Sequence, residues 1–139
     1  MRVSEIMTKG VLTIAQTDAL REARQKMDEH HCRHLAVVDE NGVLVGIISD
    51  RDVRLAMYSP FIMRERWQDE AVLDETRIQA IMSPAPVTVS PEATVVDAAR
   101  LMLSHRISAL LVTNNSHLVG ILTTTDLLEA LIEMQSVRD

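Results

Sequence analysis

Two apolar rhythms alternate along the chain in a fixed order, and the order occurs twice. Val11 to Ile14 reads as a short extended segment. Leu20, Ala23 and Met27 then recur at helical spacing, marking the buried face of a helix that ends near His30. Leu35 to Val38 is an apolar run of strand length, and Asp39-Glu40-Asn41-Gly42 carries turn chemistry. A second apolar run, Val43 to Ile48, leads into a helix beginning at Ser49. The series then returns: Val87 to Val89, a helix with Val95, Ala99 and Met102 on one face, and the run Leu110 to Thr113. The turn Asn114-Asn115-Ser116-His117, the run Leu118 to Leu122 and a helix from Thr123 complete it. Ser90-Pro91 reads as a helix N-cap followed by proline at the first helical position, and Thr17 is the cap of the first copy.

The residues repeat as well as the pattern. Met7 and Met82 are 75 apart, and the same offset aligns Thr13 with Thr88, Met27 with Met102, His30 with His105 and Leu35 with Leu110. Past the turn the offset is 74, which aligns Gly46 with Gly120 and Asp52 with Asp126. A one-residue change at a turn is where a chain tolerates one. The organisation read from this is a first motif over 1–58, a connection over 59–77, a second motif over 78–132 and a tail over 133–139. The connection carries many charges with Pro60 and Trp67, and is expected to be helical from about Ile62 to Leu73.

Nearly continuous apolar strands are expected to be buried on both faces. A lobe this small buries its own surface poorly. The pattern therefore predicts an α/β (α+β) fold of two β-α-β-β-α motifs, packed sheet to sheet about a pseudo-twofold axis. The helix faces with Val53, Ala56 and Met57, and with Leu127, Leu128, Leu131 and Ile132, hold more apolar surface than one pair of lobes hides. A homodimer through these helices is expected.

Composition narrows the function classes. Aromatics are 2% of the 139 residues, so the core is aliphatic and the eight Met fill its gaps. A net charge of −6 gives no general attraction to nucleic acid or anionic lipid. The one cysteine, Cys32, excludes an intrachain disulfide and fits a reducing, cytoplasmic setting. No apolar run approaches the roughly 20 residues of a membrane span. No glycine-rich phosphate loop and no nucleophile elbow is present, so no enzyme activity is expected.

The carrying segments are Ile6-Met7-Thr8, Arg33-His34-Leu35-Ala36-Val37-Val38-Asp39, Gly46-Ile47-Ile48-Ser49-Asp50-Arg51-Asp52-Val53 and Gly120-Ile121-Leu122-Thr123-Thr124-Thr125-Asp126-Leu127. In this order, twice over, the chain resembles a tandem pair of CBS (cystathionine β-synthase) domains, or Bateman module, over almost its whole length. It is most similar to bacterial stand-alone pairs and to the acetoin-utilisation accessory type, through Ser49-Asp50-Arg51-Asp52 and Ser59-Pro60. The resemblance implies a regulatory module with no required cofactor. The clefts between its two motifs would bind AMP, ADP, ATP or S-adenosylmethionine, and an unidentified partner protein would read the result.

Ser49-x-x-Asp52 and Thr123-x-x-Asp126 are capping boxes by local chemistry. The resemblance adds that the carboxylate takes the ribose hydroxyls while the hydroxyl and helix start face phosphate. It places Leu12 and Thr13, and Val87 and Thr88, beside the adenine, where otherwise they are ordinary strand residues. It brings Arg33, His34, Leu35, Ala36 and Arg51 to the first cleft, and Ala109, Leu110 and Thr125 to the second. The basic residues Arg33, His34 and Arg51 would contact phosphate, unless Arg51 pairs with Asp50 or Asp52. Ser108, Ala109 and Thr125 stand at the aligned positions, so the two sites are expected to be unequal. The His30-His31-Cys32-x-His34 run has the residue types of a metal site, but Cys32 aligns with Ile107, a packing position, and no metal is assigned. The alternatives to the sensor are a scaffold with vestigial clefts and a metal protein using His30, His31 and His34.

Overall fold

The structure, a computed structural model, describes residues 1–57 and 66–138. In chain order its first elements are α1 (Val3–Ile6), β1 (Thr13–Ala15), α2 (Leu20–His30), β2 (His34–Val38), β3 (Leu44–Ser49) and α3 (Asp50–Met57). Then follow α4 (Arg66–Glu75), a 3-10 turn (Ile78–Ala80), β4 (Ser83–Pro84), β5 (Thr88–Val89), α5 (Val95–His105), β6 (Ala109–Asn114), β7 (His117–Thr123) and α6 (Thr124–Arg138). The mixed α/β class is as expected. Of the expected connecting helix, residues 62–65 lie outside the described residues, and α4 continues two residues past Leu73. Helix α6 runs on through the residues read as a tail.

Two compact units form, and they do not coincide with the sequence copies. One is Leu12–Pro86; the other joins Met1–Val11 to Val87–Asp139. Each copy's opening segment lies in the other copy's unit. In the Leu12–Pro86 unit, β1 pairs parallel with β2, β2 antiparallel with β3, and β3 antiparallel with β4. In the other unit β5, β6 and β7 repeat that order, and Thr8 bridges Ile121 where β4 would stand.

Glycine permits this exchange. A Cβ on Gly120 would lie 2.9 Å from the Thr8 carbonyl oxygen and 2.7 Å from Met7 Sδ. On Gly46 it would lie 2.9 Å from the Ser83 carbonyl oxygen and 2.5 Å from Met82 Sδ. The Ile-Met-Thr/Ser segments thus lie against the one strand position in each unit that lacks a side chain.

Each unit has its own aliphatic core. Leu20, Ala23, Met27, Leu35, Ile48, Val53, Met57, Leu73 and Ile78 form one; Val3, Val89, Ala98, Met102, Leu110, Val112 and Leu122 form the other. Helices α2 and α5 end alike. His31 and Arg106 take the left-handed conformation, and the next N–H, of Cys32 or Ile107, donates to the carbonyl of Met27 or Met102 at 3.1 and 3.0 Å. This is a Schellman stop with its hydrophobic contact, and it explains why a cysteine and an isoleucine share one position: both pack on the core.

The helix starts differ from expectation. Helix α5 begins at Val95, capped by Thr94, whose hydroxyl accepts the Asp97 N–H at 3.1 Å. Ser90 instead caps a turn, accepting the Glu92 N–H at 3.1 Å. Helix α2 begins at Leu20 after a turn in which Asp18 accepts the Ala15 N–H at 3.1 Å, and Thr17 caps nothing. In both cases a tight turn precedes the helix and takes the polar residue that sequence pattern assigns to the cap. Among the described residues no helix is long and apolar enough to cross a membrane.

Candidate functional site

Each unit brings one predicted residue set together from its own strands. In the Leu12–Pro86 unit the parallel pairing sets Thr13 opposite Ala36, and the Ala36 N–H donates to the Leu12 carbonyl at 3.0 Å. The antiparallel pairing sets His34 opposite Ser49, and the Asp50 N–H donates to the Arg33 carbonyl at 2.9 Å. The amino end of the β1–β2 pair therefore lies beside the start of α3. In the other unit Thr88 pairs with Leu111, Ala109 pairs with Thr123, and the Thr124 N–H donates to the Ser108 carbonyl at 3.0 Å.

The two acidic corners are reciprocal caps. Asp52 Oδ2 accepts the Ser49 N–H at 2.8 Å, and Ser49 Oγ accepts the Asp52 N–H at 3.1 Å. Asp126 Oδ2 accepts the Thr123 N–H at 2.9 Å and its hydroxyl at 3.2 Å, and Thr123 Oγ1 takes the Asp126 N–H at 3.4 Å. Capping uses Oδ2 in both corners. Both carboxylates are half-buried at a helix start, where orphan N–H groups and the helix dipole favour anions.

The other predicted residues divide by burial. Leu35, Ala36 and Leu110 are fully buried, so they can offer a ligand only backbone groups. Leu12 and Val87 are half-buried against the two cores, while Thr13, Thr88 and Thr125 are exposed. Arg33 and Arg51 are exposed and make no ion pair among the described residues. The carboxylate of Asp50 pairs with Arg54, at 3.7 Å, and not with Arg51.

His34 differs from its description as a basic residue. Burial pushes its imidazole pKa below the ordinary value; Asp50 and Asp52 oppose this and Arg33 adds to it. At neutral pH the ring is therefore uncharged and contributes hydrogen bonding alone. Lys26 supplies a cation that sequence reasoning missed: its ammonium donates to the Thr13 carbonyl at 2.7 Å. The available signal was its alignment with Leu101, a polar-for-apolar exchange between the copies.

The histidine run does not assemble. His30 ends α2, His31 forms the left-handed stop, and His34 lies in β2. Among the described residues no three His, Cys, Asp or Glu side chains come together as metal ligands. Burial also raises the Cys32 thiol pKa, which disfavours the thiolate a metal would need.

Each unit is a β-α-β-β-α motif that closes an acidic corner at a strand–helix junction. Residues 3–59 and 78–133 each match the CBS domain, and the chain belongs to that family. A CBS domain-containing protein of Dictyostelium discoideum is 35% identical over 95% of this chain and 92% of its own length. A homoserine O-acetyltransferase of Methanococcoides burtonii is 32% identical, but the match spans 23% of that enzyme. Among solved structures, a Vibrio cholerae protein described as an acetoin utilization protein has a TM-score of 0.76 at 28% identity, covering 99% of this chain and 95% of its own. CBSX2 in complex with AMP has a TM-score of 0.77 at 26% identity, with 95% and 97% covered. The CBS domain pair of MJ0100, with 5′-methylthioadenosine and S-adenosylmethionine, has 0.79 at 26%, with 96% and 98% covered.

Proposed function

We propose that this protein is a non-catalytic cytoplasmic sensor that binds an adenosine nucleotide, AMP, ADP, ATP or S-adenosylmethionine, in each of its two units. The observation that carries the reading is the acidic corner. A carboxylate stands at a helix start directly after a strand, in both units, with one oxygen left outside the cap. That oxygen suits ribose hydroxyls, and the neighbouring helix N-terminus suits phosphate. Arg33 and Arg51, next to the first corner in sequence, and Lys26, whose ammonium donates to the Thr13 carbonyl, would add positive charge for a phosphate. The relatives solved with AMP, S-adenosylmethionine and 5′-methylthioadenosine support the same ligand class.

A thermal-shift assay tests it. A ligand that binds only the folded state stabilises by RT ln(1 + [L]/Kd), about 2.7 kcal/mol at a hundredfold excess. AMP, ADP or ATP is expected to raise Tm, and Asp52→Ala with Asp126→Ala to abolish the rise. A double variant responding like the unmutated chain overturns the assignment, and no response from either favours a scaffold.

The sensor is read as a homodimer, supported by an apolar stripe on α6. Leu128, Leu131 and Ile132 are 54, 53 and 66% exposed. Val53 and Met57, expected to share that role, are already buried within their own unit, which leaves α6 as the contact face. Light scattering is expected to give twice the 15.6 kDa chain mass at tens of micromolar. A monomer there overturns it.

A further inference from the structure

The second acidic corner receives two donors that the first lacks, the local Thr123 hydroxyl and one from far away in sequence. Thr8 Oγ1 donates to Asp126 Oδ1 at 3.1 Å. Thr8 is held there on both sides. Its N–H donates to the Ile121 carbonyl at 2.8 Å, and its own carbonyl accepts the Ile121 N–H at 2.9 Å. Met7 lies against Gly120, so the segment cannot drift from the strand without uncovering that position. Ser83 aligns with Thr8, and β4 holds it against β3 in register with Ile47. Yet among the described residues no hydrogen bond joins Ser83 to Asp52.

An ionised carboxylate has about four acceptor positions, two per oxygen. Asp126 fills three of them, with the Thr123 N–H, the Thr123 hydroxyl and the Thr8 hydroxyl. Asp52 fills one, with the Ser49 N–H. A ribose presents two adjacent hydroxyls. Asp52 can accept both on its open oxygen, whereas Asp126 has one position left.

We propose that Thr8, although it belongs to the opening segment of the first copy, is a specificity-determining residue of the second nucleotide site. Its hydroxyl takes the acceptor position that the second ribose hydroxyl would use. The first site therefore requires the full ribose diol, and the second tolerates its loss. This rests on the carboxylates being ribose ligands, as argued above.

Calorimetry with AMP and 2′-deoxy-AMP on the full chain tests it, using Asp126→Ala to isolate the first site and Asp52→Ala to isolate the second. In Asp126→Ala, AMP is expected to bind about ten- to a hundredfold more tightly than 2′-deoxy-AMP, the range for one hydrogen bond to a charged acceptor. In Asp52→Ala the two affinities are expected to agree within a few-fold. Adding Thr8→Val to Asp52→Ala is expected to restore discrimination by tightening AMP alone, and adding Thr8→Ser to leave the ratio near one. Equal discrimination at both sites, or no change with Thr8→Val, overturns the role of Thr8. An unmutated chain that binds neither nucleotide overturns the ribose reading itself.

Discussion

The two units share a motif and differ in what covers it. In the Leu12–Pro86 unit, α4 lies over α2 and α3. Leu73 is 2% exposed in that core, and Arg21 of α2 pairs with Glu70 and with Asp74, the latter at 2.6 Å. The Arg21 guanidinium holds the Asp74 carboxyl below its ordinary range. In the other unit the aligned faces are exposed. Met57 is 6% exposed and its counterpart Leu131 is 53% exposed. At the position of Asp28 in α2, α5 carries Leu103, 80% exposed. A repeated motif therefore sets local structure twice, while the connection between the copies closes one apolar helix face and the other stays exposed.

The largest test removes the cover. Leu73→Ala deletes a buried side chain and is expected to cost about 2–5 kcal/mol in chemical denaturation. A loss below about 1 kcal/mol, the scale of an ordinary substitution, would show that α4 is no part of the core and erase the contrast.

The charge contrast comes next. Arg51→Ala is expected to weaken AMP binding by about 1.5–3 kcal/mol, the range for a hydrogen bond to a charged group, and to affect adenosine far less. Thr125→Ala at the aligned position is expected to change neither. Equal losses for AMP and adenosine would mean that Arg51 shapes the pocket without touching phosphate.

The glycines test what the units share. Gly46→Ala and Gly120→Ala each force a methyl against a backbone carbonyl and are expected to destabilise by about 1–3 kcal/mol. Similar values would support equivalent crossings; a neutral substitution at either would show that its segment is free to move away.

The smallest effect is a pH dependence confined to one unit. His34 has a lowered folded-state pKa, so it favours folding when neutral. Below about pH 6.5 the unfolded chain takes up a proton that the folded chain resists, and that stability is lost as pH falls further. His34→Gln is expected to flatten this acid-side slope, while Ala109, its counterpart, has no proton to lose. An unchanged slope would assign the dependence elsewhere.

The two hairpins, the stop of α2, and the Ser49–Asp52 and Thr123–Asp126 caps were all legible in the sequence, because each depends on residues within a few positions of one another. Gly42, with φ +78°, and the left-handed pair Asn115 and Ser116 are turn choices of the same local kind. The cap starts at Thr17 and Ser90 were misread for a related reason: a tight turn and a helix N-terminus ask for the same side chains.

What the chain could not announce lies between distant residues. The repeat aligned Met7-Thr8 with Met82-Ser83, but alignment is silent on which unit each segment enters, because a backbone bridge to Ile121 or Ile47 leaves no local mark. The donor on Asp126, the ammonium on the Thr13 carbonyl and the burial of Met57 under α4 are of this kind. Sequence alone determined the two motifs and the chemistry of their corners, since periodicity and capping act over a turn or two. Only the tertiary structure decided how many acceptor positions each carboxylate keeps and which helix face stays open, since both depend on segments separated by tens of residues and brought together by packing.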